Sequence, residues 1–168
     1  MFAALWHTTL LGLALAQPAN LETRLSDLDL SGIRQGYGGP MADQSTGGAA
    51  LRVAGRSFGH GVGTHAASRW SLPLDGKAVE FRAWVGVQEY PDNPGVGSVE
   101  FVISGDGREL YRSGIMRGGD AAKPVKVDLT GVKELLLEVT DGGDGIASDH
   151  GDWLEAVIVH HGAPLPMP

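Results

Sequence analysis

The chain has 168 residues, with 26 glycines, 9 prolines, no cysteine and a formal net charge of -7. That length fits one domain with a full hydrophobic core. The acidic balance argues against nucleic-acid binding, which needs a basic footprint, and the lack of cysteine excludes disulfides, thiolate zinc sites and a cysteine nucleophile.

The first residues read as an address. Leu10, Leu11, Leu13 and Leu15 form an apolar run that ends in Ala14-Leu15-Ala16 before Gln17. This predicts a secretory signal over residues 1–16, cleaved after Ala16, and a secreted or periplasmic protein. The segment departs from the usual pattern in lacking Lys or Arg ahead of the run, and an ordered N-terminal helix is the alternative. The run is too short for a membrane span, and no second one follows. Without a cysteine after the cleavage site, no lipid can be attached there.

Residues 17–23 read as a linker, 24–161 as the domain and 162–168 as a disordered, proline-rich tail. Arg24–Leu30 alternates weakly and predicts an opening strand or edge segment. Ile33–Gly48 is glycine-rich loop carrying Tyr37 and Asp43. Leu51–Val53 predicts a short strand; Phe58–Ser68 comes next, with His65 at the entrance to a strand, and is followed by the strand Arg69–Leu72. Val79, Phe81, Ala83, Val85 and Val87 alternate with Glu80, Arg82, Trp84 and Gly86, the mark of a strand with one buried face. A loop with Glu89, Tyr90 and Asp92 precedes the strand of Val99, Phe101 and Ile103. Gly105-Asp106-Gly107 signals a hairpin. Val125–Leu129, Leu135–Val139 and Leu154–His160 alternate again. About eight to ten short antiparallel strands with turns between them predict an all-β fold, a jelly-roll β-sandwich.

The chain's most distinctive stretch is Thr140–Trp153, TDGGDGIASDHGDW, strung between two of these strands. Its glycines permit turns at positive φ. Asp141, Asp144 and Asp149 resemble a loose calcium loop, so a structural Ca²⁺ is one reading. Asx-turns that cap backbone amides are the other. His65 with His150 is a weak candidate for zinc. The carboxylates Glu89, Asp149 and Asp152 could in principle form a glycosidase pair, but the chain is short for such a cleft. It also lacks a nucleophile elbow, HExxH or phosphate loop, so the expectation is a protein without catalytic activity.

Read together, GVGTHAAS (Gly61–Ser68), VEFRAWVGVQE (Val79–Glu89), Gly97–Asp120, Val125–Gly145 and SDHGDWLEA (Ser148–Ala156) resemble the NPCBM domain, grouped with family 51 carbohydrate-binding modules. The resemblance runs from about Leu25 to His160. It implies a jelly-roll that binds glycans, galactose-type sugars among them, through loops at one end, and that accompanies glycoside hydrolases. Two positions depart from the family pattern: Tyr37 replaces a tryptophan, and Gln88-Glu89 replaces an acidic pair.

The candidate ligand-binding residues are Tyr37, His65, Glu89, Asp149 and Trp153. His65 could hydrogen-bond a sugar hydroxyl or hold its loop, and Glu89 could accept sugar hydroxyls or be a solvated loop charge. Tyr37 or Trp153 would form the apolar wall, although Trp153 begins a strand and equally suits the core. The expected partner is a carbohydrate. The alternative is a calcium-stabilised domain that binds a protein or coats the cell envelope.

Overall fold

The structure is a computed structural model describing residues 19–92, 94–162 and 165. The leader Met1–Ala16, and with it the cleavage site, lies outside these residues. The strands are β1 (Asn20–Arg24), β2 (Met41–Ala42), β3 (Arg52–Val53), β4 (Arg56–Ser57), β5 (Gly61–His65) and β6 (Ser68–Pro73). They continue with β7 (Ala78–Val87), β8 (Ser98–Gly105), β9 (Arg108–Arg117), β10 (Lys123–Asp128), β11 (Glu134–Thr140) and β12 (His150–His161).

One sheet runs β10-β7-β12-β5-β2, with β1 also on β12, and the other runs β6-β11-β8-β9. From β5 to β12 the chain changes sheet at every step except the β8–β9 hairpin, which is the jelly-roll path. That hairpin turns on Asp106 and Gly107, whose φ values of 50 and 77 are those of a two-residue primed turn. The alternation on β7 buries Phe81, Ala83, Val85 and Val87. They meet Val99, Phe101 and Ile103 of β8 and Leu135, Leu137 and Val139 of β11 in one core. Trp153 stands at its centre, edge-on to Phe101 at 5.0 Å and to Phe81 at 6.0 Å.

A smaller core lies on the outer face of the first sheet. There the β3–β4 hairpin brings Leu51, Val53 and Phe58 over Leu154, with Trp84 packed beside them.

Four local expectations change. Residues 20–23 of the expected linker, together with Arg24, form β1, paired from Asn20↔His161 to Arg24↔Val157. The cause is the length of β12: β5 pairs only with His150–Leu154, and the remaining edge needs a partner for its amides and carbonyls. Arg24–Leu30 is not an extended strand. Beyond Arg24 it folds into 3-10 turns at Leu25–Asp27 and Leu30–Gly32. Asp29 caps the second turn by accepting from the Ser31 amide, the local bonding by which Asp and Ser compete with a ladder. Gly61–His65 is a strand buried along its whole length. Its glycines hide the usual strand signal, yet Gly63 is needed because a Cβ there would lie 2.4 Å from Ser45 Cα in the loop above. Finally, Leu165 of the tail is buried in the main core.

Candidate functional site

The β5–β12 pairing sets His65 directly opposite His150, so their side chains are cross-strand neighbours on one face. Along that face of β12 the cover changes every second residue. Leu154 lies under the β3–β4 hairpin. Asp152 is fully buried, with Oδ1 accepting from Ser45 Oγ at 3.0 Å and Oδ2 unpartnered. Burial pushes its carboxyl well above the usual carboxylate range, against the Ser45 bond. His150 is only half-buried and opens onto solvent at the strand's end.

Around it a row of rings crosses the end of the sandwich. Tyr37 and His65 have centroids 5.4 Å apart, His65 and His150 4.8 Å, and His150 and Tyr90 5.0 Å. Tyr37, His65, His150, Ile146, Ala147 and Ser148 line a recess of about 340 Å³. Tyr37 and Ile146 are its large exposed apolar members, at 67% and 42% of their surface. The Tyr37 loop reaches this position because residue 36 is glycine: a Cβ there would sit 2.4 Å from the Ala66 carbonyl oxygen. Burial, together with the neighbouring His65, holds the His150 pKa below its ordinary value, opposed by the Thr46 carbonyl.

The acidic loop lies beside this recess. Asp149 is 1% exposed; its Oδ1 accepts from the Ser98 amide at 2.8 Å and its backbone carbonyl from the Ala66 amide at 2.9 Å. Its Oδ2 has no partner. Burial raises its pKa, with the charges of Asp144 and Asp141 adding and the Ser98 amide and His65 opposing. Asp144 accepts from Ser98 Oγ at 2.7 and 2.8 Å. Asp144 and Asp149 line a second recess of about 310 Å³ with Ser98 and Arg117. Asp141 faces a different hollow beside Arg69 and Glu138, and its carboxylate caps the Gly143 amide at 3.1 Å. The three aspartates are therefore not gathered, and no cluster of three or more His, Asp or Glu side chains suited to a metal occurs among the described residues.

Three of the expected ligand residues lie outside this recess: Asp149 is buried and lines the neighbouring one, and Trp153 and Glu89 are engaged elsewhere. Trp153 is 2% exposed in the core and forms no wall of the recess, because its position on β12 has inward parity. Glu89 accepts from the Gly55 amide at 2.5 Å and pairs with Arg52 at 3.5 Å. Gln88 accepts from the Arg52 amide and donates to the Ala50 carbonyl. The two side chains thus hold the β3–β4 hairpin rather than the recess. His150, Tyr90 and Ile146 complete the site instead. The signal for His150 was its place opposite His65, which register alone reveals.

The model of the NPCBM/NEW2 domain matches residues 21–159. The chain belongs to this family. As an NPCBM/NEW2 domain it is 32% identical over 144 residues to α-1,3-galactosidase B of Akkermansia muciniphila, covering 83% of this chain and 18% of that enzyme. It spans between 10% and 18% of the length of the curated relatives it matches. Among solved structures it resembles the CBM51 of Clostridium perfringens GH95 in complex with methyl-galactose. That match has 33% identity and a TM-score of 0.74, over 82% of this chain and 99% of the other. It also resembles the CBM51-2 and INT domains of Clostridium perfringens ZmpB with GlcNAc, at 29% identity and TM-score 0.77, over 84% and 32% of the two chains.

Proposed function

We propose that this NPCBM/NEW2 domain is a non-catalytic carbohydrate-binding module that takes one exposed, galactose-like sugar in the recess of Tyr37, His65 and His150. The observation that carries this reading is an exposed tyrosine beside two imidazoles at the loop end of the sandwich. A relative of the same fold holds methyl-galactose. A sugar ring offers a flat apolar face and a rim of hydroxyls. Tyr37 and Ile146 suit the face, and the imidazoles and Ser148 suit the rim. No carboxylate lines this recess, so the acid and base of a glycosidase are not in place around it. So shallow a site binds single sugars weakly and gains from display in several copies or beside a glycoside hydrolase.

The reading includes export, supported by the apolar leader ending at Ala16; no helix among the described residues is long and apolar enough to cross a membrane. It also includes a Ca²⁺ ion in the acidic recess. The buried, unpartnered Oδ2 of Asp149 with Asp144 beside it supports this, and backbone carbonyls would have to complete the shell.

The test is a glycan array probed with the purified protein, with calcium and again with EDTA. Binding to a narrow set of galactose-like glycans that disappears in His65→Ala supports the sugar reading. Loss in EDTA supports the cation. A blank array with folded protein sinks the sugar reading and moves the protein to interaction with another macromolecule.

A further inference from the structure

A neutral imidazole has one donor and one acceptor nitrogen, and whatever binds one nitrogen decides what the other can do. Nδ1 of His65 lies 2.8 Å from the Ala66 carbonyl oxygen. A carbonyl only accepts, so Nδ1 carries the proton and Nε2 keeps the lone pair. Across the strand pair, Tyr90 donates its hydroxyl proton to the Thr46 carbonyl at 2.8 Å. The same hydroxyl lies 3.2 Å from Nδ1 of His150. Its single proton is already given, so its oxygen accepts from Nδ1 and the His150 lone pair also falls on Nε2. Both rings line one recess.

On the sugar-binding reading above, we propose that His65 and His150 both meet the ligand as hydrogen-bond acceptors, with His150 the second specificity-determining residue, so that the recess selects a neutral sugar edge carrying two free hydroxyl donors. A hydroxyl that is methylated, acylated or missing at either place leaves an imidazole lone pair desolvated without a partner, which is where polar sites gain most of their discrimination. Tyr37 contributes affinity without asking which hydroxyls are present. Selection therefore rests on the histidine pair.

The test is calorimetric titration with methyl galactoside and its monodeoxy and monofluoro analogues. Fluorine retains an acceptor but removes the donor. At two ring positions both the deoxy and the fluoro analogue should bind at least about tenfold more weakly, roughly 1.4 kcal/mol. His65→Ala should make one of these positions indifferent and His150→Phe the other, each variant first shown to keep the parent's thermal midpoint. His150→Gln, whose amide oxygen can still accept, should recover part of the loss and serves if the phenylalanine variant does not fold. Histidine ¹⁵N spectra of the free protein at alkaline pH should show both rings protonated on Nδ1. Fluoro analogues that bind like the parent where deoxy analogues fail, or an Nε2-protonated ring, overturn this inference alone. No binding of methyl galactoside or GlcNAc overturns it together with the sugar reading.

Discussion

The recess at the loop end and the recess on the outer sheet face differ less in size than in what their walls have left to offer. The outer one is about 410 Å³, lined by Arg82, Trp84, Lys126 and Glu155 among others. Its charges are spent on each other: Arg82 pairs with Glu22 and Glu80, Lys126 with Glu80, and Arg56 with Glu155. Arg56 also lies over the Trp84 ring at 4.2 Å, covering the surface a sugar would use. The loop-end recess is smaller, about 340 Å³, yet it keeps two imidazole lone pairs and an open tyrosine. Unspent hydrogen-bonding capacity beside an exposed ring marks a binding site better than volume does.

Replacing each aromatic in turn separates the roles of the two recesses and the core. The largest effect is expected at Trp153, which belongs to neither recess. Trp153→Ala should cost about 3–5 kcal/mol of stability, a fall on the order of 10 °C in Tm by calorimetry. Unchanged Tm with abolished sugar binding would return Trp153 to the site.

Next comes Gly36→Val, which pushes the Tyr37 loop off the Ala66 backbone. Sugar affinity should fall by more than about tenfold while far-UV circular dichroism stays the same. Tyr37→Ala should weaken binding about tenfold, near 1.4 kcal/mol, with stability changing by under about 0.5 kcal/mol. Trp84→Ala, on the other face, should leave affinity unaltered, and equal losses at both would erase the contrast between the recesses.

A pH experiment sharpens the description of the strand face. Asp152 has a raised pKa in the fold through burial, so the folded state holds its proton more tightly than the unfolded chain does. Its destabilising effect is absent below the usual carboxylate range and grows as pH rises toward the folded value. Asp152→Asn should therefore raise Tm at neutral pH, with the gain shrinking to nothing in acid. A pH-independent gain would show that Asp152 does not titrate this way. The smallest effect belongs to Arg82→Ala, which removes two solvent-accessible ion pairs, with Glu22 and Glu80: about 0.2–1 kcal/mol in stability and no change in sugar affinity.

The fold was legible because β7, β8 and β11 alternate cleanly and Asp106-Gly107 punctuates them. Where residues take their structure from distant partners, the sequence was silent. Asn20–Arg24 is a strand only because β12 outruns β5, and Gly61–His65 is one because β12 pairs with it, while the loop over Gly63 demands a glycine that hides the strand signal. The site was half legible for the same reason. Tyr37 and His65 stood out by type and setting. His150 acquires its role from register, Tyr90 from a bond to a carbonyl 44 residues away, and Glu89 loses the expected role because its carboxylate is drawn to the Gly55 amide. No local pattern encodes these long-range choices.

The most direct measurement is a heteronuclear NMR titration of the purified protein with methyl galactoside, following the imidazole, indole and backbone amide signals together. Saturable shifts are expected to centre on Tyr37, His65, Ile146 and His150, with the Trp84 indole and the Arg82 and Lys126 amides unmoved. Shifts centred on Trp84 and the outer sheet face, or none at any residue up to high sugar concentration, would contradict sugar binding in the loop-end recess.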